Sequence, residues 1–92
     1  MKGRNIMKSF SYTIKDELGI HARPAGNLAK LAKSWKGTSI TIEKDGKSVD
    51  AAKLIMLMGL GVKCGDTVNV TVEGPDEDNA VKEVEGFMQA NL

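Results

Sequence analysis

The sequence predicts an α+β fold: an open-faced β-sandwich in which three helices cover one face of a four-stranded antiparallel sheet, in the order β-α-β-β-α-β-α. Three observations carry this expectation. The hydrophobic period switches back and forth between two and three-to-four along the chain. Asp45-Gly46 places a tight hairpin in the middle. Ser and Thr alternate with the apolar strand residues, which suits a sheet face left to water.

The first segment, Phe10-Ser11-Tyr12-Thr13-Ile14, alternates large apolar with small polar side chains and reads as a half-buried strand. Asp16 to Gly19 supply turn chemistry. From Ala22 to Trp35 the period lengthens, and Ala25, Leu28, Ala29, Leu31, Ala32 and Trp35 fall on one helical stripe. Gly37 suits the stop, and Lys30, Lys33 and Lys36 complement the negative C-terminal end of the helix dipole. Ile40 and Ile42 then alternate with Ser39, Thr41 and Glu43, and the strand returning from the Asp45-Gly46 turn is centred on Lys47 to Val49. Leu54 to Met58, ended by Gly59 and Gly61, favours a short helix by its length and its lack of β-branching, although periodicity does not decide. Val68, Val70 and Val72 mark a strand over Asp66 to Glu73. Gly74-Pro75-Asp76 breaks it, and Asp76, Glu77 and Asp78 suit the positive start of a last helix whose stripe is Ala80, Val81, Val84, Phe87 and Met88.

Composition removes several functional classes. At 92 residues the chain holds one small domain, which buries only roughly 60–65% of its unfolded surface. A net charge of +1 argues against a general nucleic-acid binder, and no apolar run is long enough for a membrane span. The N-terminus has no apolar signal region, and the lone Cys64 forms no intramolecular disulfide, which together fit a cytoplasmic location. With one His and one Cys there is no basis for a metal site. Cys64, with only Lys63 beside it to lower its pKa, reads as an ordinary thiol.

The one concentration of chemistry surrounds the only histidine, His21. It occupies the expected cap position of the first long helix, where Ser, Thr, Asp or Asn usually sit, and neutral imidazole is a poor substitute acceptor. The helix start keeps free backbone N–H donors and a positive dipole end, which form an anion site. Arg23 adds a guanidinium suited to phosphate, and Pro24 stiffens the first turn without losing a needed donor. Spacing alone does not establish function here. A His at a helix start is most often an exposed residue without a role, and His-x-Arg-Pro is short. Ser or Cys nucleophile chemistry has no visible partner for His21.

The stretch Gly19-Ile20-His21-Ala22-Arg23-Pro24-Ala25 resembles the active-site signature of the HPr family, the histidine-containing phosphocarriers of the bacterial phosphotransferase system. The similarity continues through Glu43 to Val49, Leu54 to Gly61, Gly65 to Val68 and the acidic turn before the last helix. It covers almost everything from about Met7 onward; residues 1–6 lie outside it as an extended start or a remnant of expression, ahead of a phosphocarrier domain over 7–92. The resemblance implies an HPr-like fold and a covalent relay without turnover of its own or a cofactor. A phosphoryl group would come from phosphoenolpyruvate through Enzyme I to Nδ1 of His21, then pass to IIA domains of sugar permeases. Arg23 would balance the phosphoryl charge, and the helix amides around Ala22 and Arg23 would assist. Leu54, Ile55 and Met58 resemble exposed docking positions, whereas Leu57 and Leu60 read as core. Gly26 falls at a neighbouring contact, and Lys30 and Lys33 match lysines that face acidic partners, although as solvated helix charges they need no such role. A carrier docking through one small face is expected to act as a monomer.

Two features depart from simple expectation. Ungapped alignment puts Lys53 where many Gram-positive members carry a regulatory serine, so that kinase switch is expected to be missing. Capping chemistry would start the short helix after Asp50, whereas the resemblance starts it near Lys53 or Leu54, which also keeps a Lys out of the first turn. Competing readings are a regulatory, nitrogen-type paralogue and a split-βαβ RNA or ligand binder. The chain's four aromatic residues are few enough to disfavour RNA stacking.

Overall fold

The computed structural model describes residues 7–35 and 37–92. Its elements are β1 (Met7–Thr13), α1 (Ala22–Ser34), β2 (Ser39–Lys44), β3 (Lys47–Asp50), α2 (Leu54–Gly59), β4 (Thr67–Glu73) and α3 (Glu77–Asn91). The expected order is present in full. Lys36 and residues 1–6, to which expectations were attached, lie outside the described residues.

The sheet runs β1-β4-β2-β3, antiparallel throughout, so β4 enters between two strands that precede it in the chain. This central place explains its three valines: Val68, Val70 and Val72 are completely buried, with Ile40 and Ile42 beside them on β2. Phe10 and Tyr12 of edge strand β1 stand opposite Val70 and Val68 and are only partly buried. The opposite face is polar. Ser11 donates to Asn69 at 2.6 Å and the Thr13 and Thr67 hydroxyls lie 2.9 Å apart, cross-strand pairs that face water. β1 begins at Met7, three residues before Phe10, because β4 extends to Glu73 and offers Met7 a partner in register. In the hairpin, Asp45 (φ 52°) and Gly46 (φ 84°) are both left-handed, as the two-residue turn requires.

Helices α1, α2 and α3 close the apolar face in one continuous core. α1 contributes Ala25, Leu28, Ala29 and Ala32, α2 contributes Leu57, and α3 contributes Ala80, Val84 and Met88. Leu31, Trp35, Val81 and Phe87 pack at its rim. Trp35, the C-cap of α1, donates its indole N–H to Glu83 at 2.6 Å, tying α1 to α3. α2 starts at Leu54 with Lys53 as its N-cap, as the resemblance implies. Asp50 instead forms the turn ahead of it: its Oδ1 accepts from the Ala52 amide at 2.9 Å and its carbonyl from the Lys53 amide at 3.0 Å.

Candidate functional site

The position of His21 is set by the loop that leaves β1. Ile14 exchanges backbone bonds with the turn before β4, donating to Asp66 at 2.9 Å and accepting from Gly65 at 2.8 Å. The Lys15 and Asp16 amides donate to the Leu92 carbonyl at 2.6 and 2.8 Å, so the end of α3 braces the loop. Asp16 then closes a turn on itself: its Oδ1 accepts from the Leu18 amide at 2.8 Å and its carbonyl from Gly19 at 2.9 Å. Gly19 is left-handed (φ 69°), and a Cβ there would run into the Val62 carbonyl and sit 2.7 Å from the Lys63 Cα. Conformation and space both demand glycine. Ile20 donates to Val62 at 3.2 Å and buries its side chain, which leaves His21 at the mouth of α1.

The 62–66 turn against which this loop leans is itself held by a half-buried ion pair. Lys44 Nζ lies 2.9 Å from Asp66 Oδ2 and donates to the Gly61 carbonyl at 3.0 Å, while the Lys63 amide donates to Asp66 Oδ2 at 2.8 Å. The hydrogen bond from Lys44, then that from the Lys63 amide, hold the Asp66 carboxyl below its ordinary range.

His21 is the N-cap of α1 in extended conformation (φ −115°, ψ −179°). Its carbonyl accepts the Ala25 amide at 2.9 Å, but its side chain makes no capping bond. The first turn carries no acidic residue. Pro24, buried at the third helical position, has no N–H to satisfy, and the Ala22 and Arg23 amides have no intrahelical acceptor. The positive end of α1 therefore opens beside an imidazole that is 34% exposed. His21 and Arg23 line one shallow depression of about 170 Å³ with Asp16, Pro24, Asn27 and Asn91. A cation, a partly exposed imidazole and unpaired amides at one helix end can receive a small dianion on the ring.

The other site candidates form a second surface. Gly26, Lys30 and Lys33 recur four and three apart, along one side of α1. Lys33 meets Lys53, Leu54, Ile55 and Met56 around a depression of about 420 Å³; Gly26, Lys30 and Met58 lie outside it. On α2, Ile55 (77%), Met58 (43%) and Leu54 (36%) are exposed while Leu57, and Leu60 just after the helix, are buried, the division that the resemblance implies. Sequence reasoning missed Met56 and Leu18, which are exposed large apolar residues, and it read Asp16 only as turn chemistry. Leu18 had a signal, an apolar residue in a turn with no periodic partner. Asp16 had a weaker one: an Asx-type turn just before a helix folds its side chain back toward the helix start.

The family model for the HPr component phosphorylation site of the phosphotransferase system matches residues 8–90. The phosphocarrier protein HPr of Mycoplasma genitalium is 34% identical over 85 residues, covering 92% of this chain and 97% of that protein. The HPr of Lysinibacillus sphaericus is 38% identical over 74 residues, covering 80% and 83% respectively. A crystal structure of HPr from Bacillus anthracis superposes with a TM-score of 0.83 at 30% identity, over 91% of this chain and 99% of that one. With a family model matched over nearly its whole length, curated HPr proteins more than 30% identical to it and a solved HPr structure sharing its fold, the chain belongs to the HPr family of the phosphotransferase system.

Proposed function

We propose that the protein is a phosphocarrier of the phosphotransferase system that accepts a phosphoryl group from Enzyme I on Nδ1 of His21 and passes it to IIA domains of sugar permeases. The observation that carries this reading is the imidazole of His21, partly exposed and free of any capping bond, at an α1 start where it shares its depression with Arg23. In the transfer the N–P bond of the donor's phosphohistidine breaks as Nδ1 attacks phosphorus. The Arg23 guanidinium and the Ala22 and Arg23 amides face the oxygens of the moving group, while Pro24 keeps the first turn stiff. None of these groups encloses the site, which suits an exchange that must run onward as readily as it arrives. The protein turns over no substrate of its own.

Docking would use the exposed side of α2 together with one side of α1: Leu54, Ile55 and Met58 for apolar contact, Gly26 for close approach, and Lys30 and Lys33 for acidic partner surfaces. A Cβ on Gly26 would meet nothing within 4 Å inside the molecule, so its bare backbone is not required by the fold. Lys53 carries no hydroxyl, so a kinase acting on a serine at this place would find no acceptor. We place the protein in the cytoplasm as a monomer; no helix among the described residues is long and apolar enough to cross a membrane. Incubation with phosphoenolpyruvate, magnesium and Enzyme I tests the reading. The natural protein gains one acid-labile, base-stable phosphoryl group and His21→Ala gains none; absence of label in the natural protein overturns it.

A further inference from the structure

We propose that Asp16 is a positioning residue for His21, holding the ring proton on Nε2 so that the Nδ1 electron pair stays free for phosphorus. The inference deepens the carrier reading and rests on it. The Asp16 carboxylate is the acidic group beside the ring: Oδ2 lies 3.7 Å from His21 Nε2, and both side chains are about two-thirds covered. At that length the contact is a close approach and not yet a hydrogen bond; catalytic contacts of this kind commonly tighten once the partner is bound. The carboxylate is also aimed. Its other oxygen, Oδ1, accepts the Leu18 amide, its own amide donates to Leu92, and its carbonyl accepts Gly19, so the loop fixes which oxygen is left for the ring. Both residues line the same depression as Arg23.

The chemistry requires such a device. Neutral imidazole carries one ring proton on either nitrogen, and only the Nε2–H tautomer has an electron pair on Nδ1. A carboxylate at Nε2 accepts from Nε2–H and repels the electron pair of the other tautomer. During transfer the donor nitrogen recovers its electron pair as its bond to phosphorus breaks, and the Nδ1 pair forms the new N–P bond. No proton moves: the one on Nε2 remains between the ring and Asp16, whose negative charge offsets the positive charge that N-phosphorylation places on the ring. Arg23 serves the phosphoryl oxygens and Asp16 the opposite edge of the imidazole. The two charges therefore act on different parts of the phosphorylated side chain.

Asp16→Asn separates this role from turn formation, because the amide oxygen still accepts from Leu18 while the NH₂ group replaces the acceptor at Nε2. Nitrogen-15 NMR of His21 in the natural protein, at about pH 9 where an ordinary imidazole is neutral, is expected to show the Nε2–H form dominant. In Asp16→Asn the Nδ1–H form rises, and the maximal rate of phosphoryl gain from Enzyme I falls about tenfold, the factor that one hydrogen bond to a charged group commonly carries. The KM for phosphorylated Enzyme I stays unchanged, because docking is untouched. A tautomer mixture in the natural protein like that of free imidazole overturns the proposal, as does an unaltered mixture or an unaltered maximal rate in Asp16→Asn. If the tautomer shifts as expected but the natural protein takes no phosphoryl group, the carrier reading fails while the hold of Asp16 on the ring stands.

Discussion

The loop from Ile14 to His21 and the short helix α2 both present residues assigned to function, yet they are built in opposite ways. Most of the loop's backbone amides are committed: to the 62–66 turn, to the end of α3, or to its own Asp16 turn. Helix α2 is six residues long with no side-chain cap, and it leaves Leu54, Ile55, Met56 and Met58 exposed, anchored chiefly through Leu57. Chemistry at a single nitrogen needs the ring placed within a fraction of an ångström, which an over-determined backbone provides. Docking onto unlike partners is served by flexible apolar side chains on a surface that tolerates adjustment. In the proposed carrier, precision and adaptability thus fall to different segments, and glycine marks the division: Gly19 is enclosed, whereas Gly26 faces open space.

The sharpest way to break this comparison is to add one carbon at each glycine. Gly19→Ala forces a left-handed alanine against the Val62 carbonyl, and we expect a loss of about 3 kcal/mol, combining backbone strain with a displaced turn. Gly26→Ala meets no atom and removes a flexible residue from a helix interior, so it should gain roughly 0.5–1 kcal/mol. Urea denaturation reads both signs. Equal effects at the two sites would mean that the loop yields as easily as the surface, and the contrast would be lost.

A smaller effect is expected on the docking side. Ile55→Ala removes a side chain that is 77% exposed, so stability should change by no more than about 0.5 kcal/mol. The KM for a phosphoryl donor or acceptor protein should rise severalfold, with the maximal rate kept. A lowered maximal rate at unchanged KM would move Ile55 from docking to the chemistry at His21.

Much of this division was legible in the sequence, for reasons that differ by segment. The valines of β4 and the stripe of α1 repeat at the periods of their elements, and a repeating signal survives without tertiary information. That a two-turn helix cannot bury its whole circumference required some of α2 to be exposed, and resemblance named Leu54, Ile55 and Met58 as that part. The signature histidine came from resemblance, since a cap position alone does not distinguish an acceptor from a solvated ring. Asp16 was legible only as a turn residue. Its approach to the ring depends on the Leu92 carbonyl holding the loop, a contact that no local pattern encodes. The Lys44–Asp66 pair was hidden for the same reason, joining β2 to a turn more than twenty residues later.

That pair supplies the last and smallest test, because it braces the precise region from behind. Asp66 has its folded carboxyl held below its ordinary value of 3.8, first by Lys44 and then by the Lys63 amide. A depressed folded pKa adds stability that is fully present above the unfolded value and is lost as pH falls through the folded one. Lys44→Met should therefore be less stable than the natural protein at neutral pH, and the difference should shrink below about pH 4, where protonated Asp66 no longer rewards the ammonium. Urea denaturation across that range measures it, and a difference that stays constant with pH would assign the effect of Lys44 to packing. Hydrogen exchange sharpens the outcome: with the pair removed, the Ile14 and Ile20 amides, which donate to Asp66 and Val62, should exchange faster, while the Ala51 amide beside α2, bonded to Ile40, should not. Faster exchange confined to the His21 loop would place the brace in the service of the imidazole and not of the fold at large.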